Sequence, residues 1–273
     1  MRIRDVVAFA FVLGMVGSGC KDSASEPGGG STPVVQLTAA ASGGGGSVYI
    51  AKVSFSGGSR SAIDSLRVSG ALIVLKDIVF KAAIDTVKVR DSVETERWYK
   101  LEDILGGIHG HGKDSNRVHF KGPFIVALQD TTPVQVALDT IPPGTYNGIR
   151  FHIHKLRSKD VQQNPSLPDS LVGYSIVVTG SVRDTAGTWT DFVYKSDINE
   201  EFKAKGDFVV APGDRLVPYV LKFDIASWFK GRDGRIFDPN DSHDQWSIRY
   251  AIKASLHGGI RCGRDRNHDG DPD

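Results

Sequence analysis

The chain has 273 residues, of which 40% are hydrophobic and 24% are charged, and its formal net charge is +1. This length is enough to bury a sizeable core in one large domain or two small ones. The balanced charge argues against nucleic-acid binding through a general basic surface. Two cysteines, Cys20 and Cys262, are too few for a disulfide framework.

Residues 1–19 have the layout of an export signal. A short basic start, Met1 to Arg4, precedes the apolar run Val6 to Val16, and small residues lead from there to Cys20. A membrane-spanning helix needs about 20 apolar residues, and this run is shorter. We therefore expect residues 1–19 to be a signal peptide that is removed.

The small residues before Cys20 resemble the lipobox of bacterial lipoproteins. The resemblance implies cleavage before Cys20 and attachment of fatty acids such as palmitate, which anchor the chain in a membrane. Several acyl chains together hold a protein firmly, whereas one chain gives marginal binding. Lys21, not aspartate, follows the cysteine. The expected location is therefore the outer membrane of a Gram-negative-type bacterium.

Residues 20–47 are rich in glycine, serine, alanine and proline, including Gly28 to Gly30 and Gly43 to Gly46. A segment of this composition cannot bury enough apolar surface to offset its chain entropy. The sequence predicts a flexible tether that holds the folded domain clear of the lipid surface.

Residues 48–260 are dominated by apolar residues that alternate with polar ones, which predicts strands with one buried face. Short helices are predicted only at Ile225 to Lys230, with Asp224 as a cap, and at Trp98 to Leu105. We expect an all-β fold, an antiparallel β-sandwich of the immunoglobulin or transthyretin-like kind with one or two short helices. The predicted strands are Tyr49 to Phe55, Leu66 to Phe80, Val118 to Leu128, Tyr146 to Leu156, Tyr174 to Arg183, Gly187 to Tyr194, Phe202 to Val210, Leu216 to Phe223 and Ile248 to Leu256.

Pro143-Gly144 and the following Tyr146 resemble a corner found in the domain-of-unknown-function 4382 type of bacterial lipoprotein domain. In that class a strand such as Leu66 to Phe80 precedes the corner. The resemblance covers roughly Val48 to Leu156, and it implies a cell-envelope β-sandwich without known catalytic residues.

Histidines form one candidate metal site. His152 and His154 project from the same side of a strand because residues two apart face the same way. His109 and His111 lie in a glycine-rich loop that is able to close over a metal. Two or three such nitrogens are typical of zinc or copper sites. The alternative is that these histidines, with His119, are simply solvated.

Residues 261–273 form a second candidate site. Asp265, Asn267, Asp269 and Asp273, with Gly270, match positions one, three, five, nine and six of a calcium loop. The tail is similar to the calcium loops of dockerins and thrombospondin type-three repeats. The glutamate usual at position twelve is missing. The terminal carboxylate, or the acids Asp238, Asp241 and Asp244, are candidates to replace it. A frayed acidic tail is the competing interpretation.

Aromatic residues offer a third kind of site, a sugar-stacking surface, for which Trp189 is the expected exposed member. The other candidates are Trp98, Tyr99, Trp228 and Trp246. Cys262 is expected to be a buried free thiol, although the adjacent Arg261 and Arg264 would favour its thiolate.

No catalytic motif is found, so we do not expect an enzyme. The sequence predicts a lipid-anchored envelope protein with a binding or structural role, stabilised by calcium, whose partner is a glycan or another envelope protein. The alternatives are a periplasmic zinc- or copper-binding lipoprotein and an uncharacterised hydrolase.

Overall fold

A computed structural model of the chain describes residues 33–42, 48–51, 63–83, 117–129, 133–258 and 260–273. The predicted signal peptide, Cys20, the turn at Trp98 to Leu105 and the histidines His109 and His111 lie outside the described residues.

The described residues form thirteen strands, two α-helices and two short 3-10 helices. The helices are α1 (Ser158–Gln163) and α2 (Gln245–Gly258), and the 3-10 helices are Asp169–Leu171 and Ile225–Phe229. The strands are β1 (Val34–Ala41), β2 (Val48–Ala51), β3 (Ile63–Ala82), β4 (Arg117–Phe120), β5 (Phe124–Leu128), β6 (Val134–Thr140), β7 (Gly144–Ile153), β8 (Ile176–Asp184), β9 (Trp189–Ser196), β10 (Glu200–Ala204), β11 (Phe208–Val210), β12 (Leu216–Phe223) and β13 (Arg261–Arg264).

The strands make two sheets, which confirms the predicted all-β fold class. A four-stranded sheet has the order β13-β12-β1-β6, and a nine-stranded sheet is built around β3, which pairs with β2, β4, β5, β7 and β8. Pairing is antiparallel throughout the larger sheet. In the smaller sheet β1 runs parallel to β12.

A single large core lies between the sheets. It takes Leu37 from β1 and Tyr219 from β12 on one side, and Phe80 from β3 and Phe151 from β7 on the other. Around Phe80 the aromatic rings meet edge to face, for example at 5.1 Å from the centroid of Tyr219. A smaller apolar cluster that includes Val74 and Leu171 forms where residues 156–177 fold back.

The predicted tether is wrong for Val34–Ala41. This segment is strand β1, which lies between β12 and β6, and its Val35, Leu37 and Ala39 side chains are fully buried. The glycine- and serine-rich composition of residues 20–47 concealed a short run with a strand's alternation. The predicted boundary at residue 260 is wrong as well, because β13 pairs with β12.

The predicted strand at Ile248 to Leu256 is also wrong, because this segment is helix α2. Its buried residues are Ile248, Ile252 and Leu256, which recur every four residues as on one face of a helix. Ser227 N–H bonds to the Asp224 side chain at 3.3 Å, so the predicted cap of the 3-10 helix is confirmed. No helix in the described part of the chain is long and apolar enough to span a membrane.

We expect Leu37→Ala to lower the free energy of unfolding by about 2–5 kcal/mol, because it empties a fully buried position of the core. Gln36→Ala is the matched control on the same strand, since Gln36 bonds to Gln135 at the surface and its loss should cost about 0.5 kcal/mol or less. Urea denaturation of the full chain measures both. Equal stability of Leu37→Ala and the wild type would contradict a core role for β1.

Candidate functional site

His152 of β7 and His154, the first residue after this strand, lie side by side as the strand period predicts, with their ring centroids 6.0 Å apart. His154 is buried, and its Nε2 atom is 2.9 Å from Oδ2 of Asp160, the buried acid of α1. The same carboxylate oxygen accepts the backbone N–H of Arg157 at 2.9 Å. His154 therefore joins α1 to the outer face of the larger sheet.

Opposing effects set the pKa of Asp160. Burial raises it, but the hydrogen bonds from His154 and from the N–H of Arg157 outweigh burial, and the pKa lies below its ordinary value of 3.8. A lowered folded-state pKa means that the ionised carboxylate stabilises the fold above pH 3.8. This stabilisation is lost as the pH falls through the lower, folded-state pKa.

His152 is less tightly engaged than His154. Its Nε2 atom is buried and has no hydrogen-bond partner among the described residues. Burial, reinforced by the neighbouring His154, lowers the pKa of His152 below 6.5 and so favours the neutral ring. A neutral imidazole is the form that binds metals.

A third metal ligand does not join this pair in the described part of the chain. There, no group of three or more His, Cys, Asp or Glu side chains is placed to hold a metal ion. The exposed His119 is hydrogen-bonded to Asp77 instead, with Nε2 and Oδ1 3.1 Å apart. The zinc or copper site stays a prediction that needs His109 or His111, which lie outside the described residues.

The C-terminal loop is built around Asp265, which is buried. Its two carboxylate oxygens each accept a backbone N–H at 3.1 Å, one from Asp269 and the other from Gly270. Gly270 has φ +82°, a left-handed conformation that glycine adopts without strain. The loop therefore turns sharply at the position where a calcium loop requires glycine.

The other predicted calcium donors line the same turn. Asn267 donates its amide to Asp269 at 2.9 Å, and Asp273 accepts the backbone N–H of Arg266 at 2.9 Å. Asp271, at position seven, forms ion pairs with Lys222 and Arg261. This leaves the backbone carbonyl of Asp271 for the role that position seven has in calcium loops.

The acids proposed to replace position twelve are engaged within their own loop. Asp244 is buried, accepts the N–H of Asp238 at 2.8 Å and pairs with Arg235. Asp238 accepts the backbone N–H of Asn240. Asp241 accepts the backbone N–H of His243 and is also hydrogen-bonded to the Nδ1 atom of the same residue. These contacts hold the three acids within the loop and to the neighbouring Arg235.

The four tryptophans differ sharply in exposure where they are described. Trp228 is fully buried, and Trp189 is 41% exposed beneath the guanidinium groups of Arg67 and Arg183. Trp189 is exposed as expected, and Trp246 is exposed further, at 72%. Trp98, together with Tyr99, lies outside the described residues.

Trp246 forms a parallel pair with Tyr250 on the outer face of α2. The ring centroids are 5.6 Å apart, the ring planes differ by 14°, and Tyr250 is 56% exposed. Residues four apart on a helix are neighbours, so this pair follows from the helix that the alternating pattern concealed. Had the segment been read as helical, the i, i+4 spacing of the two rings would have indicated the site.

The aromatic pair borders a cleft of about 350 Å³ between α2 and the segment after the 3-10 helix Ile225–Phe229. The cleft is also lined by Phe237 and by polar or charged residues, namely Ser227, Lys230, Arg232, Ser247 and Ser255. Apolar surface with a few polar groups is typical of small-ligand sites, which range upward from about 300 Å³.

Cys262 is a buried free thiol, as expected, with Sγ 3.5 Å from the Lys205 carbonyl oxygen. Burial raises the pKa of this thiol, so the expected favouring of the thiolate by its arginine neighbours is wrong. Arg261 and Arg264 pair with Asp271 and Asp214 instead.

No protein-family model matches the chain, and neither a curated protein nor a solved structure was found to match it. The lipobox, the Pro-Gly-Tyr corner and the calcium-loop resemblance therefore remain predictions from sequence. At the corner, the Tyr146 hydroxyl donates to the Pro142 carbonyl at 2.8 Å. This bond fixes the turn but assigns no function.

Proposed function

We propose that this chain is a lipid-anchored binding protein of the bacterial cell envelope, with a carbohydrate as its ligand. The cleft beside Trp246 and Tyr250 is its binding site. The single observation that carries this proposal is the exposed, parallel aromatic pair at the edge of an open cleft.

The chemistry of the cleft favours a carbohydrate over a protein partner. A sugar ring has an apolar C–H face that stacks on an aromatic ring and a rim of hydroxyl groups that need hydrogen-bond partners. The cleft offers both, because serine hydroxyls and two cationic side chains adjoin the rings. A protein-binding surface would instead have an apolar centre from which charged residues are depleted.

The proposed lipid anchor depends on acylation of Cys20. When the chain is expressed in a Gram-negative bacterium with an alkyne-tagged palmitate, we expect the label on the wild type and none on Cys20→Ser. Cys262→Ser is the matched control and should keep the label, because its thiol is buried in the folded domain. Labelling of Cys20→Ser at the wild-type level would contradict acylation at this residue.

The carbohydrate site is tested by native electrophoresis of the full chain in gels that each contain one polysaccharide: a neutral β-glucan, a mannan, a xylan or polygalacturonate. We expect at least one to retard the wild type, and Trp246→Ala to weaken that binding about 30-fold, as for an aromatic residue central to a binding site.

Trp189→Ala is the matched control, since Trp189 is a surface tryptophan on β9 that does not line the cleft. It should leave binding unchanged. Retardation by none of the four polymers, or equal retardation of wild type and Trp246→Ala, would contradict the proposed site.

We also propose that calcium stabilises the C-terminal loop. Asp265, Asn267, Asp269 and Asp273 supply oxygen ligands, the kind that calcium prefers. The support is the buried Asp265, which holds the turn of the loop together through two backbone N–H bonds. The bound ion would cross-link the two ends of the loop, Asp265 and Asp273.

Extracellular calcium modules bind with dissociation constants near 10⁻⁴ M, so about 10 mM calcium should raise Tm by roughly 5–10 °C. Asp269→Asn should remove most of this rise, whereas Asp241→Asn, in the other acidic loop, should keep it. Thermal unfolding with calcium, with magnesium and with a chelator measures the effect. An unchanged Tm in calcium would contradict the proposal.

A further inference from the structure

The lining of the aromatic cleft carries positive charge. Lys230 and Arg232 line it, and the lining residues include no carboxylate. Neither cation forms an ion pair within the part of the chain that the structure describes. Other surface cations nearby are paired, such as Lys253 of α2, whose Nζ is 2.6 Å from Glu200.

The nearest acids in the sequence do not line the cleft and have other hydrogen-bond partners. Asp233 follows Arg232 and lies against Gly231, and its carboxylate accepts the backbone N–H of Arg235 at 3.0 Å. Asp244 pairs with the Arg235 guanidinium. Asp224 caps the 3-10 helix through Ser227 N–H. The charges of Lys230 and Arg232 therefore remain available to a ligand in the cleft.

Serine hydroxyls add acceptors beside these donors. Ser227 and Ser255 both donate to the carbonyl oxygen of Asp224, at 2.8 and 3.4 Å. Their hydroxyl oxygens can still accept hydrogen bonds from a ligand. The cleft thus combines an aromatic face for a sugar ring, acceptors for sugar hydroxyls and two cations for an anionic group.

The geometry points to a polysaccharide of uronic acids as the ligand, an inference that rests on the proposed carbohydrate site. The sugar ring stacks on Trp246 and Tyr250, and its carboxylate faces Lys230 and Arg232. A planar guanidinium matches a carboxylate through two parallel hydrogen bonds, and an ammonium adds a point charge. A neutral sugar could accept hydrogen bonds from both cations but would not balance their charge.

Calorimetric titration of the full chain with polygalacturonate and with its fully methyl-esterified form tests the inference, because the ester removes the charge and keeps the sugar backbone. We expect the ester to bind about tenfold more weakly. Lys230→Ala and Arg232→Ala should each weaken polygalacturonate binding about fivefold and weaken binding of the ester less, because only the acid loses a charge interaction. Lys159→Ala is the control, because Lys159 is an exposed residue of α1, and it should change the binding of neither polymer.

The outcomes separate this inference from the proposed function. Equal affinity for both polymers, still lost in Trp246→Ala, would overturn charge recognition and leave the carbohydrate site standing. Binding of dextran sulfate that survives Trp246→Ala would overturn it as well, since it would indicate general attraction of polyanions. Binding of neither polymer, with no retardation by any polysaccharide of the gel panel, would refute both proposals. Unchanged thermal unfolding of the exposed variants checks that they fold.

Discussion

Backbone pairing along β3 fixes the position of most other elements, because this strand of 20 residues hydrogen-bonds to five others. Its register shifts at several points, and one of these shifts determines which side chains around Phe80 face the core. The register shifts between Lys76 and Val79, where Asp77 has φ +52°. Before the shift Ile73 and Leu75 face the main core, and after it Ile78 and Phe80 do. Without this bulge, strict alternation would turn Phe80 out of the core.

The bulge also determines what lies on the outer face of the sheet. Val74 packs there beneath residues 156–177, and Lys76 lies 4.0 Å from Asp160 of α1. His154 reaches the same carboxylate from the end of β7. When one partner of such a buried pair is removed, the free energy of unfolding falls by about 3–5 kcal/mol. His154 therefore has a structural role, and the spacing of the two histidines alone could not distinguish this role from metal binding.

Elements whose apolar residues recur with one clear spacing were predicted correctly from the sequence. The prediction failed where the apolar residues fit the spacing of a strand and also that of a helix. Strands such as β8 and β12 have apolar residues at every second position, and the structure places them as expected. Residues 248–256 have apolar side chains at every second position too, but only those four apart are buried. Packing of α2 against its neighbours in the fold selects the helical spacing. A single sequence does not show which residues those neighbours are. β1 was missed because its short alternation was averaged into a glycine-rich region.

The ambiguity between strand and helix at residues 248–256 explains why the aromatic cleft was not predicted. It also bears on the function of the cleft. Helix α2 is held to the domain by Ile248, Ile252 and Leu256, and by an ion pair between Lys253 and Glu200. A helix held by such a row of buried apolar residues needs no large aromatic residues on its solvent-exposed face. Trp246 and Tyr250 therefore contribute little to the core, and leaving both rings exposed favours association with other surfaces. The fold does not require these rings beside Lys230 and Arg232, two cations that form no ion pair among the described residues, and this supports the proposed ligand site.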